Sequence, residues 1–226
     1  MNWGEPKLKP NIHLIPPYEF DVKKRLPLST HSNPSKALFL DILESRSSRR
    51  QISAINNDLL GQFLFLSNRT KQVNTNDLGI IIEKKNHASA GAMSCVHIVF
   101  TEISSEKWYV YNSRTHSKDE LKLTEGSIFK NLKEEAKSFI SGIKDGVMLW
   151  YVADITRLSC KYTRPETLAL RESGIIAATH NLVAEYLGLS YCQLGLNGFN
   201  EASCLSNERH LFGVGMAFLG TTLNYC

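Results

Sequence analysis

Apolar residues recur along the chain at two spacings, and the switches between them mark out the elements. Leu38, Leu40, Ile42 and Leu43 predict an amphipathic helix that opens near Ser35-Lys36, just after Pro34, and runs to about Arg49. Leu59, Leu60, Phe63 and Leu66 share one side of a second helix over 57–66. Residues 67–78 are polar and read as a loop. Residues 95–101 (CVHIVFT) and 107–111 (KWYVY) read as strands, and Asn112 and Ser113 supply turn chemistry before Leu121-Lys122-Leu123. A helix is expected over 128–141. The unbroken apolar run 147–152 (VMLWYV) is the pattern of a strand buried on both faces. The longest helix is expected over 166–187, with Leu168, Leu170, Ile175, Ile176, Val183 and Leu187 as its apolar set and Gly188 ending it. Gly174 stands inside it at a cost of about 1 kcal/mol against alanine, which predicts a packing or ligand reason for it. Residues 189–196 and 211–219 read as the last strands. The order implies an α+β domain around a central sheet, with no internal repeat.

Proline changes the picture at the N-terminus. Pro6, Pro10, Pro16, Pro17 and Pro27 are five of the seven prolines. Their fixed φ and missing N–H exclude a long helix or a central strand. Residues 1–35 therefore read as an extended proline-rich arm that packs on the body or on a partner, and residues 36–226 as one domain.

Composition narrows the class. With 226 residues, 42% of them apolar, the chain can bury a core without a metal or disulfide staple. The net charge of +4 is too small and too scattered to predict a nucleic-acid partner. The longest apolar stretch, 146–155, is about half a membrane span and contains Asp154, so no membrane partner is expected. The opening MNWGEPKLKP has no apolar core and does not resemble a secretion signal. Five cysteines, an odd number without a C-x-x-C, argue against a disulfide framework or structural zinc and for a reduced, cytoplasmic protein. The seven histidines form no H-E-x-x-H, and no metal site is expected.

Three short constellations could carry chemistry, and each has a plain structural alternative. Arg46-Ser47-Ser48-Arg49-Arg50-Gln51-Ile52-Ser53 crowds guanidinium and hydroxyl donors at a helix end, where they could hold a phosphate or merely complement the helix dipole. His87-Ala88-Ser89-Ala90-Gly91-Ala92 is small enough for its backbone to approach a flat or anionic ligand, or to make a tight connection; it is neither a P-loop nor a dinucleotide fingerprint. Lys161-Tyr162 could act as base and proton donor if one member is desolvated, or be two ordinary residues. Gly213 and Gly215 read as packing glycines and His180 as a core histidine.

Taken in order, these segments resemble the nitroreductase-like FMN flavoproteins, and within them the azoline dehydrogenases that form thiazoles and oxazoles in ribosomal peptides. The family's R-R-S-x-R-x-F-S is matched by residues 46–53. The azoline branch's P-S-[AG]-G-A-L is matched by Ala88-Ser89-Ala90-Gly91-Ala92-Met93, with alanine in place of proline. A strand like Trp108-Tyr109-Val110-Tyr111-Asn112 follows, then Lys161-Tyr162 with Arg164, Gly174, Gly188-Leu189 and the glycine-bearing stretch from Gly195 to Phe199. The likeness spans roughly residues 38–220. It departs after Arg164, where Pro165-Glu166-Thr167 replaces the branch's tyrosine and second arginine. The stop at Cys226 is expected to fall short of the extension such proteins carry, and the arm to stand where many carry a larger docking domain.

The resemblance implies a nitroreductase-like α+β fold, with a mostly antiparallel sheet flanked by helices. It also implies an obligate homodimer in which both subunits contribute to each FMN site. By position, Arg46, Ser48 and Arg50 would hold the phosphate and ribityl chain, with Arg164 nearby. Ser89, Ala90 and Gly91 would line the ring, and Gly195, Leu196 and Gly198 would approach it from the far side. Lys161 and Tyr162 would be the catalytic pair. Oxidising an azoline removes a Cα proton and a hydride, which flavin N5 can accept while the protein supplies the base; dioxygen would then reoxidise the flavin. The implied partners are a peptide substrate and a cyclodehydratase. Two alternatives stay open: a flavin-dependent reductase acting on another small or peptidyl substrate, and a non-catalytic docking subunit of a peptide-modification complex.

Overall fold

The structure is a computed structural model, and it describes residues 4–30 and 37–222. Pro34, Ser35 and Lys36, expected around the start of the first helix, lie outside the described residues, as does Cys226. In chain order the strands are β1 (Lys7–Leu8), β2 (Val22–Pro27), β3 (Gln72–Thr75), β4 (Ile81–Lys84), β5 (Val96–Glu102), β6 (Tyr109–Asn112), β7 (Ser117–Leu121), β8 (Val147–Asp154), β9 (Tyr162–Thr163), β10 (Leu189–Leu194) and β11 (Leu211–Thr221). The α-helices are α1 (Phe39–Ser45), α2 (Asn57–Asn68), α3 (Gly126–Ser138), α4 (Ile155–Ser159) and α5 (Glu166–Tyr186).

Seven strands make one antiparallel sheet in the order β10-β11-β8-β5-β6-β7-β2. The VMLWYV run becomes β8 at its centre, and all eight β8 residues are buried. Alternation divides its side chains between two cores. Val147, Leu149, Tyr151 and Ala153 join Leu60, Phe63, Leu64 and Ile176 from α2 and α5. Met148, Trp150 and Val152 join Phe129, Leu132 and Ala136 from α3. Each large apolar side chain buried this way contributes about 1.5–3 kcal/mol. The fold is the expected α+β arrangement of a sheet flanked by helices.

The arm is extended, and part of it belongs to the sheet: Val22–Pro27 is an edge strand, with Pro27 at its end. Residues 67–78, expected as loop, contain β3, which pairs with β4. The pattern hid it because Gln72, Val73, Asn74 and Thr75 are all exposed and only Val73 is apolar. The first helix is shorter than expected and buries no residue; Leu38, Phe39 and Leu40 are each about two-thirds exposed. In α5 the buried stripe is Ala169, Glu172, Ser173, Ile176, Ala177, His180 and Ala184, whereas Leu170 and Ile175 face out. Gly174 is also exposed, and a Cβ there would meet nothing within 4 Å, so the packing reason expected for it is not found in this chain. Gly188 closes α5 in the left-handed region at φ +66°, as its place after the helix predicted.

Candidate active site

Two segments expected to act together meet at one end of α5. The first is the turn between β4 and β5. Gly91 has φ +59°, and Ala92 and Ser94 take left-handed values of +55° and +51° without being glycine. Such residues persist only where surrounding contacts hold them, and they concentrate at functional sites. The Ser94 N–H donates to Ser89 Oγ at 3.2 Å, and the Met93 N–H to the Ala90 carbonyl at 3.1 Å. From behind, the buried Glu172 carboxylate accepts from the Val96 N–H at 3.1 Å and also from the Ala90 backbone. Burial pushes the Glu172 carboxyl above its ordinary range, against the pull of these donors. Glu172 and burial together push the neighbouring Cys95 thiol up as well.

The second segment follows β8. Asp154 caps α4, its Oδ1 accepting from the Arg157 N–H at 3.0 Å. Lys161 closes that helix through its own N–H to the Leu158 carbonyl at 3.1 Å. Tyr162 then enters β9, and Arg164, at φ +54°, turns the chain into α5. A Cβ added to Gly91 would lie 3.4 Å from both Lys161 Nζ and Tyr162 Oη. Lys161 Nζ stands 5.5 Å from the Tyr162 ring centre, and both side chains are half-buried. An amine and a phenol therefore converge on a backbone turn that carries no side chain at the point of approach. That arrangement can exchange protons with a ligand lying along the turn.

The remaining expected residues lie in two further places. Arg46, Ser48 and Arg50 are exposed after α1, and the two arginines make no ion pair with the described residues. Arg49 between them is committed: it forms a two-pronged ion pair with Glu185, and its N–H donates to the Tyr191 carbonyl at 3.0 Å. This pairing pulls the Glu185 carboxyl down and the Arg49 guanidinium up. Gly195 and Leu196 follow β10 and lead away from Tyr191 toward Gly213, next to Val214, whose carbonyl accepts from Ser173 Oγ at 3.0 Å near the Glu172 end of α5. Gly198, at φ +60°, is buried, and a Cβ there would sit 2.9 Å from Trp150 Nε1 and Met216 Cε. Its stretch packs on β11, where a Cβ on Gly213 would strike the Asn197 and Gly198 carbonyls. Gly213 is thus a packing glycine. Roughly 20 Å of helix separates Glu172, behind the turn, from Glu185, which holds the arginine segment.

Sequence reasoning missed Glu172, Glu185 and the strand that pairs with Tyr162. The first had a usable signal: Ala169, Glu172, Ile176 and His180 recur at helical spacing, which puts a carboxylate on the buried stripe. His180 is a core histidine. Tyr151 Oη lies 2.9 Å from its Nδ1 and 2.8 Å from Tyr191 Oη, while Asn68 faces its Nε2. Burial pushes its pKa down to about 3. A cavity of about 360 Å³ adjoins the turn through Ser94 and is lined also by Tyr18, Phe20, Lys85, His97 and Asp154 among others, but by none of Ser89, Gly91, Lys161 or Tyr162.

The fold is shared with known structures. A nitroreductase-like protein from Ralstonia eutropha superposes with a TM-score of 0.65 at 15% identity, covering 97% of this chain and 100% of its own. A chain of the Escherichia coli microcin synthetase McbBCD complex, with truncated pro-MccB17 bound, gives 0.58 at 14% identity over 87% of this chain and 78% of its own. A nitroreductase-like protein from Desulfovibrio desulfuricans, in complex with FMN, gives 0.51 at 13% identity over 84% and 89%. No family model and no curated protein matches at the sequence level. The chain has the nitroreductase fold. No α-helix among the described residues is long and apolar enough to cross a membrane.

Proposed function

We propose that the protein is an FMN-dependent oxidoreductase that oxidises thiazolines or oxazolines to azoles in a ribosomally made peptide. The observation that carries this reading is the convergence of Lys161 Nζ and Tyr162 Oη over Gly91. A reductase fed by a nicotinamide has no need of a protein base at that point, whereas azoline oxidation does. The fold shared with a chain of the microcin synthetase complex, which has a truncated pro-peptide bound, supports a peptidyl substrate and a partner protein; by the resemblance that partner would be a cyclodehydratase.

The residues fit FMN. The Gly91 turn offers a backbone cradle that a side chain would fill, and Ser89 and Ala90 flank it. Arg46 and Arg50, exposed and without ion pairs among the described residues, suit the phosphate, with Ser48 as a further donor. Gly195, Leu196 and Gly198 would close the far side, and Arg164, two residues after Tyr162, would add a cation. FMN held there supplies the hydride acceptor at N5, with dioxygen as its reoxidant. Lys161 Nζ would take the Cα proton of the azoline and keep it while the hydride of the adjacent ring carbon leaves to the acceptor, and Tyr162 Oη would hold the substrate by a hydrogen bond. The Ser89–Gly91 backbone keeps the reacting ring within reach of both.

The Gly91 turn, held by Glu172, and the arginine segment, held by Glu185, stand at opposite ends of α5, which supports a homodimer whose second copy completes each site. Two exposed faces fit that copy: α1, with Leu38, Phe39, Leu40 and Leu43, and the outer face of α5, where Gly174 lies between Leu170 and Ile175. The compartment consistent with this chemistry and with free cysteines is the cytoplasm.

The test is incubation of the purified protein with an azoline-containing peptide in air, read by mass spectrometry as loss of two hydrogens per ring. Lys161→Ala should abolish conversion while FMN stays bound; full activity in that variant removes the proposed base. A flavin reductase on another substrate is the second reading, favoured by the nitroreductase-like neighbours. It predicts nicotinamide consumption with a nitroaromatic and no change in the azoline peptide.

A further inference from the structure

We infer that the first strand of the arm, with Lys9 as its key residue, positions Lys161 and Tyr162 over Gly91. This rests on the reading of those two residues as the reacting pair. Tyr162 and Thr163 are strand only by pairing with β1: Leu8 lies opposite Tyr162 and Lys7 opposite Thr163, in a two-stranded sheet of their own. The Lys9 N–H donates to the Lys161 carbonyl at 2.9 Å, and Lys9 Nζ donates to the Ser159 carbonyl at 2.6 Å. Thr163 Oγ1 donates to the Lys7 carbonyl at 3.3 Å. Gly4 lies against Arg164, where a Cβ would collide with the guanidinium. Each residue from Lys161 to Arg164 thus has a partner between Gly4 and Lys9.

The segment's other anchors are the Lys161 N–H to the Leu158 carbonyl and the packing of Tyr162 against the core, and neither sets the backbone of both residues. The segment links the five-residue α4 to the start of α5, and its lysine carries a long flexible stem. Where the ammonium can reach depends on where the Lys161 backbone stands, and β1 sets that. The sequence prepares β1 for this role. Pro6 and Pro10 bracket Lys7, Leu8 and Lys9, and a residue before proline is driven to extended backbone. Lys9, just before Pro10, is therefore held ready to donate, and Pro10, with no N–H, ends the strand. The proline-rich composition that excluded a helix thus builds a short preorganised strand beside the site.

The test uses the full chain with Lys9→Pro, which removes both Lys9 contacts, and Lys9→Arg, which keeps both donors. Three quantities are read: amide exchange over residues 159–164, labelling of Lys161 by an amine reagent relative to surface lysines, and steady-state azoline oxidation. In Lys9→Pro we expect faster exchange confined to that segment and altered Lys161 labelling. We also expect kcat to fall roughly a hundredfold, with KM and FMN occupancy unchanged. Lys9→Arg should match the wild type in all three. Unchanged exchange and labelling in Lys9→Pro would overturn the inference, as would a loss of turnover that Lys9→Arg fails to restore. If the wild-type protein oxidises no azoline, the reading of the reaction falls, and exchange and labelling still decide whether the arm holds the pair.

Discussion

Gly91 is the residue on which the candidate site turns, because the amine of Lys161 and the phenol of Tyr162 both come within van der Waals contact, 3.4 Å, of the position a Cβ would take. Two non-glycine neighbours, Ala92 and Ser94, share its left-handed backbone at a cost of roughly 1–3 kcal/mol each. Glu172 helps to hold them there, since its carboxylate ties the start of the turn to the start of β5. Glu172→Leu should leave buried N–H groups unpaired and lower stability by about 1–3 kcal/mol for each. Glu172→Gln keeps an acceptor and should cost less. Urea unfolding of the two variants checks the order, and equal losses would show that the hydrogen bonds are not what matters. At this scale the types and order of Gly91 and Lys161-Tyr162 carried the resemblance, and the structure brings the three together. The sequence was not readable for Glu172, because a carboxylate on a long helix looks solvated until its neighbours at helical spacing are known to be buried.

Among the elements, α5 connects everything. Its inner stripe holds the turn through Glu172, and His180 in the Tyr151–Tyr191 network with Asn68 of α2. The folded state keeps His180 neutral with a pKa of about 3, against an ordinary value near 6.5. Between those values the unfolded chain binds the extra proton. Its contribution to stability is therefore complete above about pH 6.5 and is lost as pH falls, by up to about 1.4 kcal/mol per pH unit. His87, pushed down to about 4 by burial and Lys85, acts in the same direction. Glu172 and Asp154, whose carboxyls burial raises, act oppositely. Urea midpoints at pH 7 and pH 4.5 should fall less in His180→Gln than in the wild type, and an identical fall would contradict this. The elements with strong periodicity were legible: β5, β8, α2, α3 and β11 stand close to where the pattern put them. The β3–β4 hairpin was not, because its first strand has no buried face. The stripe of α5 was misread because Leu170 and Ile175, apolar but outward, competed with the small residues that are actually buried.

For the whole molecule, the outward apolar residues and the division of the site point the same way. A seven-residue α1 without one buried residue, and an exposed Gly174 flanked by Leu170 and Ile175, are features that a second copy would explain. Sedimentation at micromolar concentration should give twice the chain mass, and Leu170→Glu with Ile175→Glu should give the single-chain mass. A monomer in the wild type would contradict the homodimer. The nitroreductase fold was legible from motif order, although no single motif specified it. The role of the arm was not, since proline content says extended but not what the extended segment touches. The proposed reaction depends on a bound flavin. The most direct measurement is the visible absorption spectrum of the freshly purified protein. The account predicts the two bands of an oxidised flavin, bleaching on reduction, with FMN as the released chromophore. A colourless protein that takes up no added FMN would contradict it.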